Sequence, residues 1–262
     1  MRLRSCAVHL NSAALVAIFA VTVGGCQLSQ LTTNAPDITG SLGASAEAKP
    51  DDNPQRKVEI YGDRYRSNPQ DAEAARNYGQ ALRQNNQRQQ AVALLERATI
   101  AHPEDKALIA EYGRALAEDG KFQRAFDILS RAHSPENPDW RILSVQGVTL
   151  DLLNRHDEAR RYYASALKIV PDEPTVLSNL GLSYLLSKDL PKAEAALRKA
   201  YDQGNPDARV RQNLALAIGL QGRLAEAENL VKVDLPADKT KANVAYFRKI
   251  LEAKAQRNTA NE

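Results

Sequence analysis

Four glycines stand at a fixed interval. Gly79, Gly113, Gly147 and Gly181 are 34 residues apart, with Ala215 in the next slot. Ala91, Ala125, Ala159, Ala193 and Ala227 keep the same step, and so do Ala98, Ala132, Ala166 and Ala200. A chain with such a register folds as a stack of equal units, each burying its apolar face against the next.

Within each unit the spacing predicts two helices. Counting a repeat from Ala72, positions 4, 7 and 11 read Ala75, Tyr78, Leu82; Ile109, Tyr112, Leu116; Leu143, Gln146, Leu150; and Leu177, Leu180, Tyr184. Steps of three and four place these on one helical face. The small residue at position 8 lies beside that stripe, where a missing side chain lets a second helix approach; the alanine at position 20 does the same from the other helix. Position 15 reads Asn86, Gly120, Asn154, Lys188 and Gly222, mostly residues that tolerate the left-handed conformation closing a helix. Position 32 reads Pro103, Asn137, Pro171 and Asn205, with Pro138 and Pro206 one step later, so the second helix is expected to stop there. Pro191 falls at a helix start, where its missing N–H costs nothing.

A 34-residue period with small residues at these slots is the signature of the tetratricopeptide repeat, and the chain resembles that family over most of its length. Repeats are expected at 72–105, 106–139, 140–173, 174–207 and 208–241. Where the family favours Trp at position 4, this chain has Ala75, Ile109, Leu143, Leu177 and Arg211, a departure that bears on stability rather than function. The expected fold is all-α: a right-handed α-solenoid of about five repeats plus flanking cap helices, roughly twelve helices in all, spanning 55–257. Gln55 to Ser67 reads as the second helix of a half-repeat covering one end. Lys239 to Gln256 reads as a cap helix at the other, with Val244, Phe247, Ile250 and Leu251 on one face.

Residues 1–25 read as an address. Arg2 and Arg4 precede a short apolar run, Ala13 to Val23, shorter than the ~18 residues a membrane-spanning helix requires. The segment ends Val23-Gly24-Gly25-Cys26, which resembles a bacterial lipobox. That resemblance implies acylation of Cys26, including palmitate, and, with Gln27 following, anchoring to the periplasmic face of the outer membrane. Residues 26–54 then read as the lipidated N-terminus and a flexible tether of Ser, Thr, Gly, Pro and Asp, on the order of 30 Å in root-mean-square span. Cleavage removes Cys6 and leaves a single thiol that can form no internal disulfide. It also removes Arg2 and Arg4, lowering the net charge from +3 to +1. A near-neutral chain with interspersed charges lacks the footprint of a nucleic-acid binder.

No chemistry of an enzyme is legible. His102, His133 and His156 have no second His or Cys at metal spacing, and read as surface or capping residues. Every repeat glycine is explained by the register, so there is no phosphate loop. His156-Asp157-Glu158 is a helix start, and Trp140 reads as inter-repeat packing. The expectation is a non-enzyme without metal, cofactor or small-molecule substrate.

The informative surface is the face lined by positions 9 and 13 of the first helices. Position 9 reads Gln80, Arg114, Val148, Leu182 and Leu216; position 13 reads Gln84, Glu118, Leu152, Leu186 and Leu220. Both ladders turn from polar to apolar at the third repeat. Because positions 4, 7, 8 and 11 already supply the internal stripe, these six apolar side chains are expected to line a groove for an amphipathic helix or extended peptide, unless the C-terminal helix folds back over them. Lys, Arg and Asn at positions 2, 5, 6 and 9 would mark a carboxylate-gripping chaperone-tail binder; here Ala110, Glu111, Ser144 and Val148 stand in such slots.

Several C-terminal stretches are more particular than the repeat consensus: Val210 to Leu216, Gly219 to Arg223, Ala225 to Glu228, Asp234-Leu235-Pro236 and Asn243 to Arg248. They resemble the tight-adherence (Tad/Flp) pilus assembly lipoproteins. That resemblance implies pilotin-like support of an outer-membrane secretin or another pilus-assembly protein. The alternative is a general cell-envelope adaptor for peptidoglycan enzymes or β-barrel assembly.

Overall fold

The computed structural model describes residues 53–204 and 206–234, all in helices and short connections. The expected signal peptide 1–25, Cys26 with most of its tether, and the cap helix 239–256 lie outside the described residues.

Eleven helices are described: α1 (Pro54–Ser67), α2 (Ala72–Gln84), α3 (Arg88–Ala101), α4 (Lys106–Glu118), α5 (Phe122–Leu129), α6 (Trp140–Leu152), α7 (His156–Ile169), α8 (Pro174–Leu186), α9 (Leu190–Tyr201), α10 (Ala208–Gly219) and α11 (Leu224–Val231). They form an α-solenoid of helix pairs. Each first helix (α2, α4, α6, α8, α10) packs on its own second helix, and successive first helices from α2 to α10 pack on one another. α1 packs on α2, with Gly62 against Tyr78 and the rings of Tyr65 and Tyr78 5.8 Å apart.

Local chemistry sets the ends of these helices. Asn86, Asn154 and Lys188 adopt φ of 59°, 59° and 62°, and Gly120 and Gly222 also have positive φ, so all five position-15 residues turn the chain left-handedly between paired helices. A cap ladder that the sequence reading overlooked has the same 34-residue step. Asp71, Asp105, Asp139, Glu173 and Asp207 each accept a backbone N–H in the first turn of the first helix they precede.

One second helix departs from expectation. α5 stops at Leu129 rather than near position 32. Pro135 has no N–H to donate to the carbonyl of Arg131, and its ring disfavours a helical Ser134. The chain therefore leaves the helix early and turns through a Ser134–Asn137 bridge. The orphaned Arg131 carbonyl accepts from Lys106 Nζ instead, at 2.7 Å.

The core lies between the two helix layers. Position 8 meets position 24 in four repeats: Gly79 with Leu95, Gly113 with Leu129, Gly147 with Tyr163 and Gly181 with Leu197. A Cβ on Gly79 would lie 2.7 Å from Leu95 Cγ, closer than carbon atoms pack, so a side chain there would force the pair apart.

Candidate protein-binding groove

The first helices lie side by side and form the inner face of the solenoid. Their contacts across repeats are polar and specific. On α2, Arg83 reaches two carboxylates of α4: Nε donates to Glu118 Oε2 at 2.9 Å, Nη2 also pairs with Glu118, and Nη1 pairs with Glu111. All three side chains are about nine-tenths buried. Burial works against the Arg83 charge, but the carboxylates outweigh it and hold the guanidinium more firmly protonated than usual. Arg114 adds a longer contact to Glu111 at 3.3 Å. The polar end of the face is thus a charge-balanced network of two arginines and two glutamates, in which the buried Nε of Arg114 alone has no hydrogen-bond partner, with Gln80 and Gln84 exposed beside it.

At the third and fourth repeats the same device recurs with one acid. Asp151 Oδ1 accepts from Ser183 Oγ at 2.8 Å and lies 2.8 Å from His156 Nδ1, while Oδ2 accepts from Tyr163 Oη at 2.9 Å. Burial pushes the Asp151 carboxyl above its ordinary range, against the opposing pull of these partners. Burial, and then the neighbouring Asp151, push the Tyr163 phenol well above its own. Asn179 Nδ2 adds a 3.2 Å bond to Ser144 Oγ, so α6 and α8 are joined by two side-chain bonds.

The six apolar groove residues divide. Leu152, Leu182, Leu186 and Leu220 are half-buried, and Leu182 and Leu220 pack on the core of the fourth and fifth repeats. Val148 and Leu216 are only 3% and 8% exposed, and Leu216 belongs to that core. The expectation that all six stand clear of the internal stripe therefore fails at these two: adjacent first helices approach closely enough to bury position 9 in the third and fifth repeats. Four leucines remain as the accessible apolar surface, and the C-terminal segment proposed to cover them lies outside the described residues.

Other sequence candidates take structural places. Gln146, a polar residue within the apolar stripe, is 1% exposed and satisfied: Nε2 donates to Ser130 Oγ at 3.0 Å, and Oε1 lies 2.9 Å from His133 Nε2. His133 is accordingly a partly buried partner of Gln146, in place of the surface or capping residue expected. His102 caps the end of α3, and Trp140 lies half-buried under the guanidinium of Arg141, 4.4 Å from its ring centroid. Among the described residues no group of three or more His, Cys, Asp or Glu is placed to hold a metal ion, and no helix is long and apolar enough to cross a membrane.

Residues 79–139 and 145–208 match the family described as Tetratricopeptide repeat. The chain carries tetratricopeptide repeats. No protein of curated function matches it. Among solved structures, the repeat domain is similar to PilW, described as a widely conserved type IV pilus biogenesis factor: TM-score 0.65 and 14% identity, over 73% of this chain and 90% of that one. It is similar to PilF of Pseudomonas aeruginosa, with TM-score 0.55 and 15% identity over 68% and 81% of the two chains. It is also similar to a chain of the APC/C hetero-tetramer Cut9–Hcn1, with TM-score 0.64 and 14% identity over 76% of this chain and 40% of that one. The repeats thus span about two fifths of that last chain. At such identities these likenesses establish the tetratricopeptide solenoid, an architecture whose stacked helices present extended surfaces for protein partners.

Proposed function

We propose that this chain is a lipid-anchored protein-binding scaffold on the periplasmic face of the outer membrane. Its inner groove would hold a segment of a secretin of the tight-adherence pilus system, in the manner of a pilotin. The observation that carries the reading is the row of half-buried leucines, Leu152, Leu182, Leu186 and Leu220, beyond a polar end whose buried charges are paired with one another. Such a face has little unsatisfied charge to offer and much apolar surface, which suits an amphipathic partner helix or extended apolar strand. The Val23–Cys26 lipobox and the C-terminal stretches resembling tight-adherence lipoproteins support the location and the partner. The likeness in fold to PilW and PilF is consistent with both. A general envelope adaptor is the second reading, supported by the same groove without the C-terminal resemblance.

The test is Leu152→Asp with Leu186→Asp, the two groove leucines that do not pack on the core of the fourth and fifth repeats, read as secretin multimer level in outer membranes beside circular dichroism of the purified protein. Each leucine is half-buried, so a partner gains about 1 kcal/mol per side chain, and a desolvated carboxylate adds a further penalty. Secretin multimers should fall sharply while helicity stays near native, and Gln80→Asp with Gln84→Asp should do much less. Normal multimers in the leucine variant would sink the groove assignment. The anchor is tested separately: Cys26→Ser should abolish palmitate labelling, and labelling that survives overturns that part.

A further inference from the structure

On the opposite face, between α3 and α5, a cavity of about 310 Å³ opens beside the last turn of α3. Its wall is aliphatic: Ile100, Pro103, Ile109 and Ile128. Ile100, on α3 of the first repeat, is 76% exposed at the lip.

The two ends of the cavity are polar and unlike each other. At one end a fixed triad closes it. Tyr112 Oη donates to Glu96 Oε1 at 2.9 Å, and Arg124 Nη2 donates to both that oxygen, at 2.8 Å, and Tyr112 Oη, at 2.9 Å. Here charge is balanced. At the other end Arg131 lines the wall two residues beyond the end of α5, where Pro135 has cut the helix short. Lys106, which is not part of the wall, is held by its Nζ to the main-chain carbonyl of Arg131, so a second cation lies beside that residue. Neither Arg131 nor Lys106 forms an ion pair with a carboxylate among the described residues. An apolar hollow thus adjoins two cations with no carboxylate partner among the described residues, an arrangement complementary to an apolar group carrying an acid.

We infer that this cavity is a second docking site, distinct from the inner groove, for a protein segment in which an aliphatic side chain lies next to a carboxylate. The aliphatic group fills the space among Ile100, Ile109 and Ile128, and the carboxylate lies over Arg131 and Lys106. The site is independent of the secretin reading, because it shares no residue with the inner leucine row.

The test uses the full chain with N-acetyl-leucine as probe, against N-acetyl-leucinamide and N-acetyl-glycine, observed by methyl NMR. N-acetyl-leucine should shift the Ile100, Ile109 and Ile128 methyls saturably and leave those of Leu182 and Leu186 in place. The amide, lacking the carboxylate, should bind about fivefold more weakly, the scale of one exposed charge pair. The glycine derivative, lacking the side chain, should not saturate. Arg131→Gln with Lys106→Gln keeps the donors at exposed positions and should make acid and amide equal. No saturable shift at the three isoleucines, or equal affinities of acid and amide for the wild-type chain, overturns the proposal. Nuclear Overhauser contacts from these methyls to residues 27–52 in the free protein would also overturn it, since the occupant would then be the chain's own tether.

Discussion

Gly147 and Tyr163 form the tightest kind of crossing in this solenoid: a Cβ on Gly147 would lie 2.7 Å from Tyr163 Cζ. The ring has nowhere to go. Tyr163 is 1% exposed, and its hydroxyl is committed to Asp151 at 2.9 Å. The third repeat closes only because one helix carries no side chain where the other carries its largest.

Gly147→Leu should therefore cost at least the ~1–3 kcal/mol typical of overpacking, and near its upper end, since displacing Tyr163 also breaks the bond to Asp151. Thermal melting measures the loss, and hydrogen exchange should show it reaching α8 through Ser183, because neighbouring repeats share each interface. An unchanged melting curve would count against the crossing.

Arg83→Met should destabilise by about 3 kcal/mol, because it leaves Glu111 and Glu118 buried with too little positive charge. Arg83→Lys should restore only part, since an ammonium cannot pair bidentately with Glu118. Urea denaturation of the three proteins gives the ranking; a loss below about 0.5 kcal/mol for Met would mean the network contributes nothing net.

Glu194 should contribute to the acid stability of the fourth and fifth repeats. Its partial burial opposes ionisation, but Arg223, Arg198 and Gln221 outweigh that and hold its carboxyl down to about 2. A carboxyl whose folded pKa is depressed contributes stability that is present above its unfolded value, ~4.3, and is lost as pH falls toward 2. Solvent screening at the exposed ends of the two arginines reduces the contribution to about 1–2 kcal/mol. Stability against pH should show this loss in the wild type and not in Glu194→Gln. Parallel curves for the two proteins would remove Glu194 from the acid transition.

Lys188 holds a left-handed turn, φ 62°, in which its Cβ crowds the following carbonyl. Gly120 and Gly222 occupy the same repeat position without that strain. Lys188→Gly should stabilise by about 0.5–1 kcal/mol after the entropy of an added glycine is subtracted. A lower melting temperature would show that the Lys188 side chain contributes more than its backbone strain costs.

How far the chain could be read in advance follows from the range of each interaction. The turns at Asn86, Asn154 and Lys188 and the helix start at Pro191 rest on contacts within one or two helical turns, and the crossings at Gly79, Gly113, Gly147 and Gly181 join the two helices of a single repeat at a fixed 16-residue separation, so residue identity and spacing suffice. The Asp71, Asp105, Asp139, Glu173 and Asp207 caps were equally local, and the truncation of α5 at Pro135 needed only the rule that proline lacks a donor; both were legible in principle. The partners of Arg83, 28 and 35 residues away, the donors gathered by Asp151 from two repeats, and the burial of Val148 and Leu216 were not. Period and composition determine that the helices stack; how closely neighbouring first helices approach depends on all the side chains between them at once. That distance decides whether an inner-face residue is core or surface, and only the assembled solenoid sets it.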